Sequence, residues 1–176
     1  SDLTRWVRLN TSNGSIVCRG LGGVGEFQTT NGRITVSNHA GDTKFRTSNG
    51  SVTATSIDGS IGVRTTNGRV TCEDIRGFAT VSTTNGSVEV KLAPSSPGPV
   101  QISTTNGRVE LTIGEAFEGE LQVRTNNGSI RDSFEDRYVK TSSRRSKTYA
   151  FSPAGVRSEI STTNGSVTVE GRPGSR

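Results

Sequence analysis

The chain has no methionine, a single histidine, a single tryptophan and two cysteines, and only 28% of its residues are apolar. Each shortage excludes something. His39 and two cysteines are too few to build a metal site of the usual histidine and cysteine ligands. No stretch is long and apolar enough to span a membrane, and no secretory leader is recognisable. With Ser1 at the start and no methionine, we expect a processed or excised piece, any signal or anchor lying outside it. An apolar content this low approaches the level at which chains stay disordered. The placement of the apolar residues argues against that outcome.

What the chain has is a repeat. Asn-Gly occurs eight times, mostly within the phrase T-T-N-G-[S/R]-[V/I]. The first five of these glycines, Gly14, Gly32, Gly50, Gly68 and Gly86, lie 18 residues apart. A second series, Gly23, Gly41, Gly59 and Gly77, falls midway between them. Such a period marks a repeat architecture. Between the glycines the pattern alternates: Ala79, Val81 and Thr83 on one side, then Val88, Val90 and Leu92 after the turn. Alternation with one apolar face is the signature of half-buried strands, and no helical period of useful length is present.

Two architectures fit. Asn-Gly is a strong hairpin signal, which would give an antiparallel meander. Alternatively, each unit of 18 residues is one coil of a β-solenoid with two short faces and glycine at the corners. The sameness of the repeats favours the solenoid. Stacking sets Thr on Thr, Asn on Asn and Gly on Gly, whereas a meander gains nothing from identity. The expected fold is therefore an all-β, single-stranded β-helix-like solenoid, one domain over 1–176. Asn13, Asn31, Asn49, Asn67, Asn85, Asn106, Asn127 and Asn164 would form a corner ladder, with a threonine ladder beside it. Cys18 and Cys72 then lie three coils apart, about 14 Å, too far for a disulfide, and read as small buried fillers.

The period fails in three places: 93–99, 114–119 and, most extensively, an insertion at 131–153 that nearly fills one extra coil. The insertion holds Tyr138 and Tyr149 beside Arg144, Arg145 and Lys147, a combination suited to glycans, phosphates or acidic protein surfaces. Arg33, Arg46, Arg64, Arg69 and Arg108 repeat on the outer face as a second, basic stripe. The net charge of +5 supports weak attraction to anionic partners. The stretch Gly22–Phe27 resembles a calcium-binding β-roll unit, but it occurs once and carries glutamate for aspartate. An ice-binding threonine grid starts at Thr35, Thr53 and Thr71 but is broken by Glu89, Glu110 and Arg131. The acids are scattered, and no catalytic spacing stands out. We expect no catalytic residue, cofactor or metal.

The phrase at Thr83–Val88 and Thr162–Val167, with its spacing of 18, resembles the bacterial adhesin-type β-strand-repeat family, also called Toastrack domains. The resemblance covers the chain outside 131–153. It implies a β-solenoid on the outer side of a membrane, often tethered, and associated with adhesion and envelope-stress sensing. It brings no catalytic residues. The expected function is a non-enzymatic, extracytoplasmic, adhesin-like binding module of a bacterial envelope, at the cell surface, in the periplasm or secreted. Its expected partner is a protein or an anionic glycan or envelope surface, with no specific nucleic acid and membrane contact only through a tether outside the chain. A structural subunit that self-associates through uncapped solenoid ends is the alternative. A solenoid enzyme acting on acidic polysaccharide is a second alternative.

Overall fold

The computed structural model describes residues 6–134, 138–153 and 155–171. The outer ends of the expected domain and residues 135–137 of the expected insertion lie outside the described residues. The chain winds back and forth between two sheets. In the first, β1 (Trp6–Thr11), β3 (Val24–Thr29), β5 (Thr43–Asn49), β7 (Ile61–Asn67), β9 (Ala79–Asn85) and β11 (Val100–Asn106) follow one another in parallel. In the second, β2 (Ile16–Arg19), β4 (Ile34–Ala40), β6 (Val52–Asp58), β8 (Val70–Ile75), β10 (Val88–Leu92) and β12 (Val109–Ile113) do the same. Parallel pairing excludes the meander. The chain is a β-solenoid.

Register explains the identity of the repeats. Thr47 sits on Thr65, Asn49 on Asn67 and Val52 on Val70. The inward residues form continuous columns. Phe27 and Phe45 stack with ring centroids 5.4 Å apart, and Val63 and Val81 extend their column, all at most 3% exposed. Cys18 and Cys72 are both free and buried within another column, and burial pushes the Cys72 thiol up to about 12.

After the first corner, the Asn-Gly glycines are required by contact, not by backbone angle. A Cβ on Gly50 would lie 1.8 Å from the Gly32 carbonyl oxygen, and one on Gly68 would lie 2.0 Å from that of Gly50. Gly41 in the second series needs both freedoms: its φ is +133, and its Cβ would meet the Gly23 oxygen at 2.2 Å.

One bend has a glycine only in its first coil, where Gly20 adopts a φ of 65. Asn38, Ser56 and Asp74 adopt left-handed φ values of 54, 53 and 56. Each lets two successive residues face outward, so the inward parity shifts. His39, Ile57 and Ile75 are buried as a result, at 1%, 0% and 0% exposed. Asparagine and aspartate enter this region more readily than most residues.

The stacking order departs from the chain order. The last repeat, β17 (Ser158–Asn164) and β18 (Val167–Gly171), inserts between the β11/β12 coil and the earlier β13 (Glu120–Thr125) and β14 (Ile130–Asp132). The 131–153 segment does not build the expected extra coil. After β14 it folds into an antiparallel hairpin, β15 (Val139–Ser142) and β16 (Ser146–Ala150), whose second strand pairs with β13. Antiparallel pairing cannot continue the winding, so the hairpin ends the parallel stack in the first sheet.

Gly68→Ala should lower the stability of the solenoid by about 1–3 kcal/mol, because the added methyl must push two coils apart. Urea denaturation measures this. A Gly68→Ala variant as stable as the parent would show that the corners are not in contact.

Candidate functional site

The corner ladder is present. The Nδ2 of Asn31 donates to Asn13 Oδ1, Asn49 to Asn31 and Asn67 to Asn49, each at 2.9 Å. Asn85 continues to Asn67, Asn106 to Asn85, Asn164 to Asn106 and Asn127 to Asn164, at 2.8–2.9 Å. The order 85, 106, 164, 127 repeats the displaced coil in side chains. All these amides are exposed, so the ladder is a surface rail of directed dipoles. Beneath it lie the threonines. Thr29 Oγ1 donates to the Gly14 carbonyl at 3.1 Å, and Thr125 Oγ1 to that of Gly165 at 2.9 Å.

The expected basic stripe divides into two columns. Arg46 and Arg64 are neighbours in register on β5 and β7. Arg33, Arg69 and Arg108 follow the Asn-Gly corners and are interleaved with Ser51 and Ser87. All five are exposed, and Arg108 approaches Glu110 at 3.5 Å.

The hairpin rearranges the expected ligand cluster. Arg144 and Arg145 are exposed at its tip, where Ser143 Oγ bonds the Ser146 carbonyl oxygen and accepts the Ser146 N–H. Neither arginine makes an ion pair among the described residues. Lys147 and Tyr149 face the other way, which corrects their placement in a surface site. Lys147 Nζ pairs with Asp132 Oδ2, and the Tyr149 hydroxyl donates to the same oxygen at 2.9 Å. Tyr149 is fully buried. Burial, then the bond to Asp132, pushes its phenol well above the ordinary range.

Asp132 was not singled out in the sequence. Its side chain is only 10% exposed, and it ties the second sheet to the hairpin across the end of the core. Around it the aromatics form a plug. Phe134 packs on Tyr149 and on Phe151, both at 5.1 Å between centroids, and Tyr138 packs on Phe151 at 5.4 Å. Tyr138 therefore belongs to the packing around the hairpin. The one signal for this was the local concentration of aromatics in a chain otherwise poor in them.

A cleft of about 510 Å³ opens beside the plug, with Phe151, Glu120, Lys140 and Arg157 among its lining residues. Glu120 accepts from both cations, each at 3.1 Å. Those bonds, from Lys140 first and then Arg157, hold its carboxyl below the usual range. A smaller hollow of about 180 Å³ lies along the left-handed bend beside His39, whose Nε2 is 2.8 Å from the Gly23 carbonyl oxygen. Among the described residues, no three histidine, cysteine or acidic side chains gather as metal ligands. Nor is any helix there long and apolar enough to cross a membrane.

Asp132→Ala should destabilise the protein by about 1–3 kcal/mol, since it strands a buried phenol and a half-buried ammonium. Tyr149→Phe should cost about 1 kcal/mol, because Lys147 still holds Asp132. Thermal melting of both variants checks the order. A larger loss from Tyr149→Phe would contradict the anchoring role of Asp132.

Comparison with curated proteins and with solved structures finds no match. A family model described as Toastrack DUF4097 matches residues 5–170, spanning both the regular coils and the hairpin that closes them. With its in-register coils and asparagine corners, the chain belongs to the Toastrack family.

Proposed function

We propose that this protein is a non-enzymatic, adhesin-like binding module, held on the outer side of a bacterial membrane and presenting a rigid basic tip to an anionic partner. One observation carries this reading. Arg144 and Arg145 stand unpaired among the described residues at the tip of a hairpin whose base is fixed by β13 and by Asp132. Two cations on a fixed turn lose little entropy on binding, which favours affinity for carboxylated or sulfated glycans or an acidic protein face. The five arginines of the two outer columns add a long-range field that steers such a partner toward the solenoid. Any membrane contact runs through a tether outside this chain.

A second reading, a structural subunit that self-associates, is favoured at the opposite end. Leu9 occupies the column of Phe27 and Phe45, yet is 40% exposed where they are at most 1%. Trp6, on the opposite face of β1, is 58% exposed. The outer side of β1 has no strand partner among the described residues. At the far end antiparallel β16 covers β13, so among the described residues β1 is the edge of the first sheet that keeps the parallel sense of the stack.

Replacing Arg144 and Arg145 by serine, with Lys147 kept, should remove salt-sensitive binding to a sulfated glycan column and leave the melting temperature unchanged. Equal retention of the variant and parent would remove the tip from the interaction. For the second reading, sedimentation should show concentration-dependent association that Leu9→Ser abolishes. A strictly monomeric parent at high concentration would exclude it.

A further inference from the structure

We propose that Asn13–Gly14 is a site of spontaneous covalent modification, where loss of the asparagine amide yields aspartate or isoaspartate, while the stack protects the other Asn-Gly corners.

Asn-Gly is a reactive pair because glycine has no side chain to shield its backbone nitrogen. The Gly nitrogen attacks the Asn Cγ. A new N–Cγ bond forms and the Cγ–Nδ2 bond breaks. The amide nitrogen leaves as ammonia and carries off the proton of the glycine N–H. The product is a five-membered imide. Water then adds to one of its two carbonyls and opens the ring to aspartate or isoaspartate. Water is the only co-reactant, and nothing is oxidised or reduced.

The reaction needs a side chain free to swing onto the next nitrogen, and a nitrogen free of other bonds. Every Asn-Gly corner after the first has its asparagine Nδ2 bonded, and four of them also have the glycine N–H held. Asn31, Asn49, Asn67, Asn85, Asn106 and Asn164 each donate to one neighbour and accept from the other. The N–H groups of Gly50, Gly68, Gly86 and Gly107 are held by asparagine carbonyls of the next coil at 3.0–3.2 Å. Reaction at these corners requires a local opening of the solenoid.

Asn13 is different because the ladder has a direction. Its Oδ1 accepts from Asn31, but its Nδ2, the departing nitrogen, has no partner among the described residues. The Gly14 N–H also has none among them. Asn127, at the other end, is more constrained. Its Nδ2 donates to Asn164, its backbone N–H donates to Thr163 at 2.8 Å, and the Thr125 N–H is tied to the hairpin at Arg145 at 2.9 Å.

Direction also decides the consequence. Aspartate at position 13 still accepts from Asn31, so this product leaves the ladder whole. Aspartate at position 67 would lose the bond to Asn49 and set a carboxylate against its amide oxygen. Isoaspartate adds a methylene to the backbone and spoils the register of the first coil. Either product places a negative charge just beyond the end of β1, the edge strand of the first sheet.

The test is peptide mapping by mass spectrometry after incubation of the native protein at mildly alkaline pH. The tryptic peptide 9–19 should gain its acid and isoaspartyl forms at least about tenfold faster than the peptides holding Asn67 and Asn85. In denaturing urea the rates should converge. Gly14→Ala should slow the reaction, and since its Cβ meets only the Thr11 side chain, the fold should tolerate it. Native Asn67 or Asn85 reacting as fast as Asn13 would overturn the proposal, and so would an undiminished rate in Gly14→Ala.

Discussion

The close approach of one coil to the next at the Asn-Gly corner is the constraint on which the rest depends. Parallel strands lie about 4.8 Å apart, and at that spacing the carbonyl of one corner glycine occupies the place where a side chain of the next would begin. Only glycine fits. Once the corners are that close, the asparagine before each glycine is within reach of its counterpart, and at Thr29, Thr104, Thr125 and Thr162 the threonine two residues earlier bonds a glycine carbonyl. The repeated phrase is therefore one contact surface, copied at every level. Its identity from coil to coil lets a chain poor in apolar residues build a continuous core, because each inward residue is buried by those above and below it.

Much of this was legible in the sequence. The inward residues, the asparagine ladder and the buried cysteines follow from alternation and spacing. Parallel stacking follows from the sameness of the repeats. Asn-Gly misleads locally, since its strongest association is with hairpins and positive φ. Here the glycines are selected by crowding instead. The bend at Asn38, Ser56 and Asp74 escaped the pattern because a glycine, Gly20, marks it in the first coil alone, and with it went the burial of His39, Ile57 and Ile75.

The displaced last coil was illegible for a related reason. Copies of one phrase pair equally well with any other copy, so the repeat carries no address. The address comes from the hairpin. Because β16 occupies the outer edge of β13 in antiparallel sense, the returning chain can add only on the inner side. Lys147 and Tyr149 looked like ligands while Asp132 looked ordinary, and the three prove to be one anchor. Partners 15 to 17 residues apart in a non-repeating segment leave no periodic trace. Regular coils thus supply stiffness, and the irregular end supplies both closure and the exposed arginines at its tip.

The intercalated order can be tested directly by paired cysteines. Ser103 lies beside Ser161, and Ser161 lies beside Arg124, so Ser103 and Arg124 are two strands apart. Adjacent strands, about 4.8 Å apart, are within disulfide reach, and strands about 10 Å apart are not. Under mild oxidation, the Ser103→Cys, Ser161→Cys variant should cross-link, and the Ser103→Cys, Arg124→Cys variant should not. A bond between positions 103 and 124, with none between 103 and 161, would mean that the coils stack in chain order and would contradict the architecture described here.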